Sequence, residues 1–303
     1  MTFIITVQRA TARLLKPPQL RMATMNRTLF LVLPAAVALA PLPALAQEGP
    51  QAGAPAPARI RDNLFLLEEA YNQEPGVIQH ISVFQYAPDD QDWTYSFTEE
   101  WPVPTDLNQL SVTLNLSGTG EDGGPKLADS LINYRIQALG LGGRGWLAVA
   151  PRLSLVLPVG DPDEGTGRGV IGLQTNLPIS AELGRYFVAH VNAGATVTPG
   201  AQSPSGRTDT AVDANAGVAL VWQPLSWLNP LVEFAYTVTE DVADTSSEHT
   251  DALVVNPGVR VAIDHAKSGL QIVPGLSVPM QVLPSDDFAA AGLAYLSFEH
   301  PAF

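Results

Sequence analysis

The chain contains no cysteine, which excludes disulfides, thiolate catalysis and cysteine-ligated metals. Beyond its N-terminus it has no apolar run long enough to cross a bilayer as a helix, although 46% of its 303 residues are hydrophobic. Positive charge is scarce, with 16 Lys and Arg against 30 Asp and Glu. Such a surface repels nucleic acid, which is excluded as a partner. The five histidines, His80, His190, His249, His265 and His300, are scattered with no His-x-x-x-His or Glu-x-x-His spacing, so no metal site is expected. GDPDEGTGRG (160–169) is Gly-rich but lacks the Lys-Ser/Thr of a phosphate loop, and no cofactor is expected.

What the chain does have is alternation. Ile171, Leu173, Leu177, Ile179, Ala181 and Leu183 share one parity, and Gln174, Asn176, Ser180 and Glu182 the other. Leu110, Val112, Leu114 and Leu116 alternate in the same way with Ser111, Thr113 and Asn115. A strand points successive side chains to opposite faces, so these are two-faced strands. The pattern recurs over 77–87, 92–102, 108–118, 127–139, 145–159, 169–183, 186–198, 209–222, 230–240, 251–264, 269–283 and 288–300. Every second connection is acidic or Gly-rich, as in APDD, SGTGEDGGP, GDPDEGTGR and PSDD, and those between are mostly tighter. Long outer loops alternating with short periplasmic turns predict an all-β, transmembrane, antiparallel up-and-down β-barrel of about twelve strands. Trp93, Trp101, Trp222 and Trp227 fall near strand ends, where interfacial girdles lie. Pro151, Pro178, Pro257, Pro274 and Pro279 interrupt strands and predict bulges at several of these positions.

The N-terminus reads as an export signal over residues 1–46. Arg21 and Arg27 precede an apolar core from Leu29 to Ala40, and Ala44-Leu45-Ala46 offers a cleavage site before Gln47. Met1–Ala23 is long for an n-region, and Met22 and Met25 are alternative starts. Removing residues 1–46 takes five basic residues (Arg9, Arg13, Lys16, Arg21 and Arg27) from the 16 and none of the 30 acids, leaving a net charge of −19. Residues 47–76 are expected to be a periplasmic linker and short helix, and 77–303 the barrel. Asp62 is a candidate N-cap and Pro75-Gly76 a stop for a helix over 62–74. That segment would dock at or inside the periplasmic mouth through Phe65, Leu66 and Tyr71, with Glu68, Glu69 and Glu74 as polar contacts, and narrow the pore. The alternative is a periplasmic tether.

Charged residues on the lipid face are costly, so the polar parity is expected to line the lumen. This assigns Glu100, Asn115, Asp129, Asn133, Arg135, Arg152, Gln174, Asn176, His190, Asn192, Asp213, Asn215, Glu233 and Arg260 to the interior, as a hydrated channel or as a filling network of ion pairs. His80 and Ser82 share one strand face and form the enzymatic alternative, a lipid hydrolase; otherwise they are ordinary lumen residues. Acidic loop residues, including Asp89, Asp90, Asp161, Asp163, Glu164, Asp286 and Asp287, either bridge cations to lipopolysaccharide or solvate the rim. A structural or adhesive barrel is a third reading.

DNLFLLEEAYNQEPGVIQHISVF, residues 62–84, resembles the start of the outer-membrane family associated with the MetA pathway of phenol degradation. Glu68, Glu69, Tyr71, Asn72, Gln73, Glu74, Gly76, Gln79 and His80 carry the resemblance. It implies an outer-membrane barrel transporter in a Gram-negative bacterium, passing small, hydrophobic or aromatic solutes by passive diffusion without a cofactor. Its expected partners are outer-membrane lipids and lipopolysaccharide, and the barrel-assembly machinery, which would read the C-terminal Phe303.

Overall fold

The computed structural model describes residues 60–61, 63–120, 124–140, 145–265, 267–284 and 289–302. The export signal and linker, Asp62, Asp286, Asp287 and Phe303 lie outside the described residues. Twelve strands are formed among those described. They are β1 (Val77–Ala87), β2 (Asp92–Trp101), β3 (Asn108–Gly118), β4 (Lys126–Ile136), β5 (Leu147–Val149 and Arg152–Leu157) and β6 (Gly172–Leu183). They continue as β7 (Phe187–Gln202), β8 (Thr208–Trp222), β9 (Leu228–Val242), β10 (Ser247–Val261 and Ile263–His265), β11 (Leu270–Ser277 and Met280–Leu283) and β12 (Ala289–Ala290 and Gly292–Pro301). Each pairs antiparallel with the next, and β12 returns to β1 from Val77↔Pro301 to Tyr86↔Gly292, which closes the barrel.

The alternation sets the two faces. On β3, Leu110, Val112, Leu114 and Leu116 point out, while Ser111, Thr113 and Asn115 are buried inside. The outer surface carries Leu114, Leu127, Leu153, Leu173, Val218 and Leu276 exposed, with many more of the same kind. In water so large an apolar belt would aggregate; hydrocarbon satisfies it. Trp101, Trp146, Trp222 and Trp227 gather toward the end at which β1 begins and β12 ends, and Trp93 lies toward the other.

Prolines disturb the wall less than expected. β5 breaks at Ala150-Pro151 and β11 at Val278-Pro279, each interrupting one strand. Pro178, Pro257 and Pro274 keep continuous register opposite Asn192, Val232 and Leu296, so each loses a donor without shifting its ladder. Register shifts occur instead between Thr113 and Asn115, Thr198 and Ala201, and Leu253 and Val254.

The connections also differ from expectation. Strands β7 to β10 run past the expected ends as regular hairpins, which shortens their acidic outer loops to tight turns. Residues 158–171 remain a long loop, and it folds inward: the Asp129 N–H donates to Thr166 O at 3.1 Å, and the Arg168 N–H to Asp129 Oδ2 at 2.8 Å.

Candidate functional site

The barrel interior is occupied by the chain's own residues 60–61 and 63–73. Ile60, Leu64, Phe65, Leu66, Leu67 and Ala70 are at most 4% exposed. The expected helix is absent. The segment runs as bends and extended chain because the wall, not the segment itself, satisfies its backbone. The Leu66 and Leu67 N–H groups both donate to Glu233 Oε1, at 2.9 and 3.0 Å. Asn192 receives the Glu68 N–H at 3.0 Å and returns its amide to Glu68 O at 2.8 Å. Ser180, Gln137 and Gln109 accept the N–H groups of Ala70, Asn72 and Gln73. Arg135 donates to the carbonyls of Glu69 and Tyr71 and to Asn72 Oδ1.

Two buried ion pairs tie the segment across the lumen. Glu68 meets Arg152 at 2.9 Å, and Glu69 meets Arg260 at 3.0 Å, while Arg260 also donates to Asn63 O at 2.7 Å. Breaking one partner of such a pair strands a charge in a dry interior. Arg152 anchors a wider network through Asn133, Ser154 and Gln174, and Gln174 continues to Thr196. Gln73 reaches Gln79 on β1. Glu74 is exposed, and Pro75-Gly76 forms the turn into β1, with the Val77 N–H on Glu74 O at 3.1 Å and Gly76 at φ +76°. Only glycine adopts that φ without strain at the third position of a type II turn.

The inner wall is not polar all round, as the parity argument had expected. One sector carries apolar residues inward: Ile81 and Val83 on β1, Val221 on β8, Leu231 on β9, Val273 on β11, and Leu293 and Tyr295 on β12. Leu64 to Leu67 pack against this sector. The Phe65 ring meets Tyr295 edge-on at 5.7 Å and fills a notch floored by Gly275 and Gly258. A Cβ at Gly275 would lie 2.7 Å from Phe65 Cε1, and one at Gly258 would overlap the same ring. The wall thus has an apolar half facing the four hydrophobic residues and a polar half facing Glu68 to Gln73.

Among the residues assigned to the interior by parity, Glu100, Asn115, Asp129, Asn133, Arg135, Arg152, Gln174, Asn176, His190, Asn192, Asp213, Glu233 and Arg260 are buried, and Asn215 is half-buried. The structure also brings in a residue that parity could not supply. Arg168, on the inward loop, pairs with Asp213 at 3.0 Å and donates to Glu240 O. Its signal was only a lone arginine in an acidic, Gly-rich loop. Between this loop and the wall lies a cavity of ≈ 100 Å³, with Trp93, Leu131 and Val156 among its lining and Asp129 and Lys126 at its polar side. A second, of ≈ 80 Å³, separates Leu64–Glu68 from β2 to β5. At the outer rim, hydrogen bonds from Ser205 and Ser203 hold the Asp244 carboxyl below its ordinary range.

His80 and Ser82 are corrected. The register places Gln79, Ile81 and Val83 inside, so His80 and Ser82 face outward. They do not form a base–nucleophile pair: Ser82 Oγ meets the Tyr95 hydroxyl at 3.2 Å, and His80 turns to Glu99 and His300.

Among solved structures, the chain is similar to the COG4313 outer membrane channel from Pseudomonas putida F1, with 11% identity over 77% of this chain and 97% of that one and a TM-score of 0.55. It also aligns with the NanC porin at 8% identity, over 74% of this chain and 98% of that one, with a TM-score of 0.48. No protein-family model matches the sequence, and no curated protein matches it. Closure, strand order and the outward apolar belt define a closed twelve-stranded antiparallel β-barrel, the fold class of outer-membrane barrels.

Proposed function

We propose that the chain is an outer-membrane channel of a Gram-negative bacterium that passes small solutes by passive diffusion, and that residues 60–74 are its removable closure. The observation that carries this reading is the way the segment is held. Its backbone is bound by side chains of the wall, without strand pairing among the described residues, and its one covalent tie to the barrel is the Pro75-Gly76 turn into β1. Glu233, Arg135, Asn192 and Gln137 would hydrate once the segment left, and the barrel ladders would remain intact. The likeness to a channel fold agrees with it. Solutes with a hydrophobic or aromatic part suit a lumen with one apolar half and an outer cavity bordered by Trp93, Leu131 and Val156. The resemblance of residues 62–84 to the phenol-associated family points the same way.

Export through the signal at 1–46, assembly through the C-terminal Phe303, and contact with lipopolysaccharide belong to the same proposal. The test is planar-bilayer conductance of the purified protein and of a chain lacking residues 47–74. The deletion is expected to convert a barrel with rare openings into one that conducts steadily. Equal conductance of the two refutes the closure. A deleted barrel that folds and never conducts refutes the channel and favours a structural role.

A further inference from the structure

The seam where the barrel closes carries an arrangement that the channel reading does not use. His80 on β1 and His300 on β12 lie on the outer face, with His300 one step diagonal from His80 across the seam. Their Nε2 atoms are 3.3 Å apart. The ring centroids are 5.4 Å apart, well beyond the nitrogen separation, and the planes differ by 21°. The rings therefore meet tip to tip, nitrogen facing nitrogen.

The surroundings of the other nitrogen of each ring bear on what those tips carry. His300 Nδ1 lies 2.8 Å from Pro301 O, and a carbonyl only accepts, so the His300 proton sits on Nδ1. His80 Nδ1 faces the Glu99 carboxylate at 3.7 Å, which favours a proton there. With a proton on each Nδ1, the two Nε2 lone pairs face each other. Such an arrangement repels unless a cation stands between them. Zinc–imidazole bonds of about 2.0–2.1 Å at a tetrahedral angle separate the two nitrogens by roughly 3.3–3.4 Å, which matches the distance present. A carboxylate on the distal nitrogen of a ligating histidine is the usual outer partner of such a site. Phe298 stacks on the His80 ring at 4.7 Å and limits its rotation.

We propose that His80 and His300 form a two-histidine site for a divalent transition cation of the zinc type, oriented by Glu99, with water filling the remaining positions. The site joins the first strand to the last near the chain termini, so a bound cation clamps the closing seam. Among the described residues no group of three His, Asp or Glu side chains converges to hold a metal ion, so the protein supplies this site with two donors.

The test uses the full-length protein expressed in membranes and purified in detergent, titrated with Co²⁺ followed by absorbance and with Zn²⁺ in competition. One equivalent is expected to bind, with a matching rise in the temperature at which the folded barrel loses its fast electrophoretic migration. His80→Asn and His300→Asn should each remove the absorbance and the thermal rise, and Glu99→Gln should weaken binding roughly 10- to 100-fold. His249→Asn, at the far rim, should change nothing. The inference is overturned if the wild type binds no Co²⁺ at millimolar concentration, which means that the rings share a proton instead. It is equally overturned if the seam variants bind as the wild type does. Circular dichroism of each variant separates loss of the site from loss of the fold.

Discussion

Phe65 offers the sharpest test of the idea that a lumen-filling segment is a docked ligand of its own barrel. Its ring is 3% exposed and sits over Gly275 and Gly258 against Tyr295. Truncating a buried Phe to Ala costs about 3–5 kcal/mol, and each 1.4 kcal/mol is about tenfold in an equilibrium. If docked and released segments interconvert as two states, Phe65→Ala raises the released fraction by roughly 10² to several times 10³. Gly275→Ala attacks the same contact from the wall. Its Cβ neighbours are the Phe65 ring and Arg260 Cγ, both side-chain atoms, so the ladder is spared. Overpacking of this kind costs about 1–3 kcal/mol, or roughly a 5- to 150-fold gain in release. The double variant is the decisive measurement, because the new methyl enters the space that Phe65 vacates. Its release should fall short of the product of the singles by a coupling of at least about 1 kcal/mol. The assay is the opening frequency of single barrels in planar bilayers, supported by protease cleavage near residue 65. Unchanged opening in both single variants, or strict additivity in the double, refutes the notch as the anchor.

Other expectations follow from the same geometry. Arg260→Met removes the guanidinium that pairs with Glu69 and holds Asn63 O, and should weaken docking by up to about 3–5 kcal/mol; adding Glu69→Gln should recover part of that, read as opening frequency. Glu233→Gln keeps the shape but replaces the carboxyl that accepts the Leu66 and Leu67 N–H groups with an amide that has a single acceptor oxygen, and should increase opening by roughly tenfold, within the worth of a buried hydrogen bond. Leu173→Arg, on the lipid face of β6, should destabilise the folded barrel by about 2–4 kcal/mol if that position lies near the midplane, seen as a lower urea midpoint in lipid bilayers. Ser82→Ala should leave any ester hydrolysis by the purified barrel unchanged, since the Ser82 hydroxyl is engaged by the Tyr95 hydroxyl and not by a histidine; abolished hydrolysis would restore the enzyme reading.

Much of the fold was legible because its signal is local. The period-two pattern of Leu173 to Leu183 or Leu110 to Leu116 tells each residue its face without knowledge of its partner. Twelve strands and their order follow from that pattern and its punctuation. The prolines misled because a missing N–H costs one ladder bond, whereas a bulge needs a change in residue count; Pro178, Pro257 and Pro274 bring only the first. His80 and Ser82 share a face, but the parity of β1 was ambiguous by sequence, since Ile81 and Val83 are as apolar as a lipid-facing pair. They are buried instead against the inner segment.

By itself, the sequence determined the strands, their alternation and the polar residues of the interior, because side-chain direction in a strand depends only on position along it. The tertiary structure alone decided what those residues do. Glu233, Arg260, Arg135 and Asn192 are separated from residues 63–72 by some sixty to two hundred positions, and meet them only once β12 has closed on β1. Residues 62–74 carry helix signals, yet a closed wall that presents acceptors to their N–H groups and donors to their carbonyls outcompetes a helix too short to stand alone. Nothing in a local pattern records that competition, because its winning side is built from six different strands.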